Sequence, residues 1–154
     1  MKSVMTLCIV HQGNRVLLGI KKRGFGAGRW NGFGGKIKKG ETIRRAAQRE
    51  VLEEAGIAVA DITPAGILEF SWRDKPDSLE VHVFCASEFT GEPHETEEMK
   101  PQWFSAAEIP FDAMWPDDRY WMPLVLADKK FRGRFVFDAA DAILEYSLTE
   151  VNEI

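Results

Sequence analysis

The stretch Gly35–Ile57, GKIKKGETIRRAAQREVLEEAGI, decides how this chain folds. Within it Ile43, Ala47, Val51 and Ala55 recur at four-residue spacing, which lays one apolar stripe along a helix and turns that stripe toward a core. Thr42 suits the N-cap, and Gly56 suits the left-handed position just past the end. The same helix carries Glu50, Glu53 and Glu54 at i, i+3 and i+4, so the spacing predicts that the three carboxylates leave one face and meet. Like charges so placed repel and gain nothing unless a cation sits among them. Clustered hard oxygen donors suit Mg²⁺ or Mn²⁺, whereas Zn²⁺ favours nitrogen and sulfur. Arg49, four residues before Glu53, is placed to orient that carboxylate. A solvent-facing acidic helix would show the same triplet, so on spacing alone both readings stand.

Working outward, Met5–Val10 and Arg15–Ile20 are short apolar runs around Gln12-Gly13-Asn14, which predicts strand, tight turn, strand. Residues 22–35 break every period with six glycines interleaved with Phe25, Trp30 and Phe33, and read as a loop whose backbone approaches something closely. Strand patterns return over Ala65–Trp72, Leu79–Phe89 and Met99–Phe104. Arg119–Ala127 reads as a helix with Pro123 in its first turn, and Phe131–Phe137 with Ala142–Ser147 as a closing strand pair. With no repeat or linker, residues 1–154 form one α+β domain with a mixed β-sheet between helices.

Composition narrows the function classes. Apolar residues make up 45% and charged residues 29% of the 154, which suits a soluble domain and excludes disorder and fibre. No apolar run reaches the roughly 18 residues a membrane span needs, and the N-terminal stretch lacks a signal-peptide cleavage site. Cys8 and Cys85 each sit in an apolar run, and read as two buried thiols of a cytoplasmic protein. The net charge of −4 hides an asymmetry: residues 21–45 hold nine basic side chains against one acid, residues 46–154 nine against 23. That pattern suits an anionic ligand and a cation site in one molecule, and argues against long nucleic acid.

Beyond the helix itself, Gly35, Glu41, Arg49-Glu50-Val51-Leu52-Glu53-Glu54 and Ala55-Gly56-Ile57 together resemble the Nudix box, meeting each of its fixed positions. The resemblance implies the Nudix fold and hydrolysis of a nucleoside diphosphate linked to another group. It also assigns Glu50, Glu53, Glu54 and Gly35, with Glu98, to a metal site, and Arg49 to the catalytic set. Outside the box the chain is similar to one branch, the MutT-like oxidised purine nucleoside triphosphatases. The similarity rests on Arg15–Gly35 (RVLLGIKKRGFGAGRWNGFGG), Val81–Cys85 (VHVFC), Glu98-Met99, Trp103-Phe104 and Ile109–Leu124. Leu79 and Trp72 depart from it, standing where the branch has methionine and phenylalanine.

For the base, the branch resemblance implies that Asn31, Asp117 and Asp118 read its edge and that Phe25, Phe70, Met99 and Trp115 wall it. Thr6, Leu7, Lys21 and Leu79 would lie along the pocket, with Gly34 and Gly35 at the phosphates. Physical chemistry gives such a pocket a rationale. Aromatic walls stack any purine, and adjacent buried aspartates can divide into one acceptor and one donor. A packed tryptophan followed by a helix-capping aspartate would also leave the Trp115–Asp118 signature. The expectation is a Mg²⁺-dependent monomer, with Mn²⁺ as substitute, that converts 8-oxo-dGTP and 2-hydroxy-dATP to monophosphate and pyrophosphate. A Nudix pyrophosphatase for ADP-ribose, dinucleoside polyphosphates or capped RNA, and a binding-only module, are the alternatives.

Overall fold

In the computed structural model, which describes residues 1–154, β1 (Lys2–Gln12) and β2 (Arg15–Lys21) form the expected hairpin but soon part company. They pair only from Val10↔Leu17 to the turn. The segment read from sequence as loop wedges between them: β3 (Trp30–Asn31) pairs with Ile20 and Gly19 of β2, then Phe33 bridges to Cys8 and Lys36 to Met5 of β1. The wedge explains the glycines. A Cβ at Gly34 would collide with the Thr6 carbonyl, so only glycine lets these backbones lie together.

The chain continues through α1 (Ile43–Ala55), β4 (Thr63–Trp72), β5 (Ser78–Ala86), β6 (Met99–Ser105), α2 (Asp118–Leu126), β7 (Lys130–Phe137) and β8 (Ile143–Val151). The sheet order is β3-β2-β1-β5-β4-β7-β8, with β6 on the other edge of β2. The β1–β5 and β4–β7 pairs are parallel and the rest antiparallel, so the sheet is mixed. Strand alternation splits the core into two layers. Cys8, Val10 and Leu17 pack with Ala47, Val51 and Ala55 of α1, while Ile9, Val16 and Leu18 pack with Trp121, Met122 and Val125 of α2. The helices thus cover opposite faces, as the α+β expectation required.

Several boundaries differ from the sequence reading. The strand expected to run to Phe89 ends at Ala86, because Gln12 takes the Ser87 carbonyl (2.7 Å) and Thr90 pairs with Ala58. Pro123 stands in the second turn of α2, not the first, and leaves the Arg119 carbonyl without its helical donor three residues before the helix ends. Of the two thiols, Cys8 is fully buried, and burial pushes it up to about 12, but Cys85 is only half-buried. The two cysteines are not bonded to each other.

Candidate active site

Helix α1 starts and stops where its sequence says. The Thr42 hydroxyl accepts from the Arg45 N–H (3.1 Å), and Gly56 (φ 75°) closes it by donating to the Leu52 carbonyl (3.0 Å). These caps set the rotation of the acidic face, and Arg49 organises it. Its guanidinium grips both oxygens of Glu41 (Nε–Oε2 2.6 Å, Nη2–Oε1 2.9 Å) and donates to Glu50 (2.7 Å), more distantly to Glu53 (3.3 Å), and to the Lys36 carbonyl (3.1 Å). The chief partner is therefore Glu41, with Glu53 the weakest of the three. Arg49 donation and the Lys38 N–H hold Glu41 down at about 2, while Glu41 in turn raises Arg49.

The glutamates do not meet as the spacing suggested. No three acidic, histidine or cysteine side chains converge into a ready-made cation site. Glu53 is half exposed and Glu50 is tucked under Gly35, where an added Cβ would lie 2.8 Å from its carboxyl carbon. Glu54 turns inward, 6% exposed, and accepts from the Gly34 N–H (2.9 Å). Burial raises it to about 8 against that hydrogen bond, so the expected Glu50–Glu54 repulsion is relieved near neutrality by a proton. Glu98 approaches from a separate loop, is held by Arg23 (2.8 Å), and is kept below the usual carboxylate range by that contact.

Glu54 also lines a cleft walled mainly by apolar side chains with a few polar groups among them, the make-up of a small-molecule site. Of the residues implied for the substrate, Thr6, Leu7, Lys21, Asn31 and Gly34 line it. Phe25, Phe70, Leu79, Met99 and Trp115 form its apolar wall, with Asp117 and Asp118 among the lining. Gly35 is the exception and lies behind the cleft, against Glu50. Phe25, 57% exposed, stacks on Trp115 with ring centroids 5.0 Å apart. Asn31 is turned locally, accepting from the Gly32 N–H (2.8 Å).

The aspartates are nearly sealed, at 3% and 2% exposure. Asp117 is the N-cap of α2 yet makes no cap hydrogen bond. Its Oδ2 accepts instead from the Trp121 indole N–H, one turn on (2.7 Å). Burial raises Asp117, and it raises Asp118 much further because the Asp117 charge adds to the desolvation. Asp118 is thereby the proton-carrying member and can donate, while Asp117 accepts. Two buried side-chain oxygens in the molecule lack any partner, Asp118 Oδ2 and Thr6 Oγ1, and both line this cleft. Unpaired polar atoms in a sealed position ask for a polar ligand.

Sequence reasoning missed Trp121 and Phe137, which complete the wall, and Glu41 as the anchor of Arg49. The i+4 spacing of Trp121 from Asp117 was an available signal. Glu41 stands just before the Thr42 N-cap, eight residues from Arg49, and the fixed spacing of the two in the box was the available signal.

Residues 1–125 match the NUDIX domain family. The chain is 54% identical over 147 residues to the oxidized purine nucleoside triphosphate hydrolase of Mus musculus, covering 96% of this chain and 94% of that protein. It is 50% identical over 151 residues to the protein of the same name from Danio rerio, covering 98% and 97%. Among solved structures, a MutT protein from Bacillus halodurans superposes with a TM-score of 0.86 at 30% identity, covering 95% of this chain and 97% of that one.

Proposed function

The chain belongs to the Nudix family, and from that premise we infer that it hydrolyses oxidised purine nucleoside triphosphates, 8-oxo-dGTP and 2-hydroxy-dATP among them, to monophosphate and pyrophosphate. The observation that carries this reading is the single cleft in which Glu54 shares the lining with two unpartnered buried oxygens and an aromatic wall. A purine stacked against the Trp115 and Phe70 sides of the wall would present its polar edge to Asp117 and Asp118. Asp117 accepts from a base N–H and Asp118 donates to a base oxygen or nitrogen, so one pocket can serve guanine-type and adenine-type oxidised bases.

At the other end Glu50, Glu53 and Glu54, with Glu98 and the Gly35 carbonyl, would hold Mg²⁺, or Mn²⁺ in its place. The donor chemistry fits, since every candidate is a hard oxygen and Gly35 leaves room for the Glu50 carboxylate against the backbone. A cation bound there neutralises phosphate charge and acidifies the attacking water. Arg49 aligns Glu41, Glu50 and Glu53, and Lys21 adds positive charge at the cleft. Water attacks the β-phosphorus and the bond to the α-phosphate oxygen breaks. The nucleoside monophosphate leaves, the water's oxygen ends in pyrophosphate, and one of the helix carboxylates or Glu98 accepts the water's proton.

The setting we infer is the nucleotide pool of the cytoplasm, where two free thiols are at home, with a monomer acting on small nucleotides to keep damaged bases out of DNA. No helix is long and apolar enough to cross a membrane. The test is pyrophosphate release with Mg²⁺ over a panel of normal, oxidised and methylated purine nucleotides, ADP-ribose and a dinucleoside polyphosphate. The expected result is a higher kcat/KM for 8-oxo-dGTP and 2-hydroxy-dATP than for dGTP and dATP. Preference for ADP-ribose or the dinucleoside polyphosphate would overturn it.

A further inference from the structure

The turn between β7 and β8 is built by Asp138, whose Oδ1 accepts from the N–H groups of Ala140 (2.8 Å) and Ala142 (3.0 Å). At its far end Asp141 adopts a left-handed backbone (φ 63°), costly for a residue with a Cβ though tolerated by Asp and Asn. The result is a carboxylate returned to the cleft walls. Its Oδ1 accepts from the Trp72 indole N–H (2.8 Å), and its Oδ2 stands 3.9 Å from Arg29 Nη2. Arg29 lies over the Trp115 ring, 4.2 Å from guanidinium carbon to centroid, and donates to the Met114 carbonyl (3.3 Å). Trp72 and Trp115 both line the cleft, and Phe25 touches each of them, stacked on one and edge-on to the other at 6.1 Å. Neither Asp141 nor Arg29 lines the cleft.

One carboxylate therefore ties together two tryptophans that come from different parts of the chain, the end of β4 and the approach to α2. We propose that Asp141 is a positioning residue of the base site: through Trp72 and Arg29 it fixes how the two tryptophan walls stand relative to each other. The inference rests on the purine reading of the cleft. It is tied to this chain's Trp72, because a phenylalanine there has no N–H to offer.

The experiment measures KM and kcat for 8-oxo-dGTP in the parent, Asp141→Ala, Asp141→Asn, Trp72→Phe and the Trp72→Phe/Asp141→Ala double variant. Loss of a charge-assisted hydrogen bond predicts that Asp141→Ala raises KM about tenfold with kcat within about twofold. Asp141→Asn keeps an acceptor for Trp72 and tolerates the left-handed turn, so it recovers part of the loss. In the Trp72→Phe background, Asp141→Ala raises KM by a smaller factor than in the parent, since the two act through one contact. An unchanged KM, a fall confined to kcat, or fully multiplicative effects in the double variant would overturn the proposal. A second readout is the Trp72 indole N–H resonance, identified by its disappearance in Trp72→Phe. It should shift in Asp141→Ala, and an unmoved resonance overturns the tie. If the parent cleaves no purine nucleotide, the substrate reading falls, and this resonance still decides the clamp by itself.

Discussion

The two ends of the cleft both rest on acids, and they treat them in opposite ways. Just before helix α1 and along it, Glu41, Glu50 and Glu53 are cross-linked by one arginine, which holds Glu41 down at about 2. At the start of α2, Asp117 and Asp118 are sealed among aromatic rings, and burial drives both upward. A carboxylate kept charged suits a cation and phosphate chemistry, while a carboxylate kept protonated suits the edge of a neutral base. Glu54 lies between, on the charged helix yet buried in the shared cleft, and its value of about 8 reflects the dry side of the boundary. On the proposed function the two sets of acids perform two tasks because one is bridged by Arg49 near solvent and the other is buried.

That contrast can be broken at several strengths. The largest effect should come from Glu53→Gln, which removes a charge from the metal face. Turnover should fall on the order of 10²-fold or more, and chelator should abolish it in the parent. Full turnover of the variant, or of the parent in excess chelator, would remove the metal-based account of that end.

A pH titration of stability separates the ends without any substrate. Glu54 at about 8 and Asp118, raised well above its ordinary value, bind protons in the folded chain that the unfolded chain releases above roughly pH 4–5. Their contribution is therefore full below that range and drains as pH rises toward about 8. Glu41 works in the other direction, present above roughly pH 4.5 and lost as pH falls through about 2. Denaturant midpoints measured in chelator should decline from pH 5 to pH 8, and Asp118→Asn should flatten the decline. A slope identical in parent and variant would mean that Asp118 holds no proton in the folded state.

The smallest of these effects is expected for Glu41→Gln. Arg49 would lose its charged fork but keep Glu50 and the Lys36 carbonyl, so activity should drop on the order of tenfold, as for other groups that act behind a metal ligand. A loss as deep as that of Glu53→Gln would place Glu41 among the ligands themselves.

How much of this was legible in the sequence depended on whether the cause was local. Helix α1 was readable to its caps, because Thr42 and Gly56 act on their own backbone and the apolar stripe has a fixed period. The lining of the base pocket was nearly complete, but it came through family resemblance and not through periodicity. What stayed hidden was set by tertiary contact. The β3 wedge looked like loop because its pairing partners lie far along β1 and β2. Glu54 has the spacing of a surface acid, and only the Gly34 backbone and the cleft show why it is buried. Asp141 holding Trp72 joins residues 69 positions apart, beyond any helical or strand period.

The central claim is that chemistry and base choice reside at separate ends of one cleft. The most direct measurement is kcat/KM for 8-oxo-dGTP and for 2-hydroxy-dATP in the parent, Glu53→Gln and Asp118→Asn. Glu53→Gln should lower both values by one common factor and leave their ratio unchanged. Asp118→Asn should change the ratio by roughly tenfold or more, because the lost acid leaves a different group unpaired with each base, at roughly 1–3 kcal/mol. A ratio that moves with Glu53→Gln, or stays fixed with Asp118→Asn, would contradict the division.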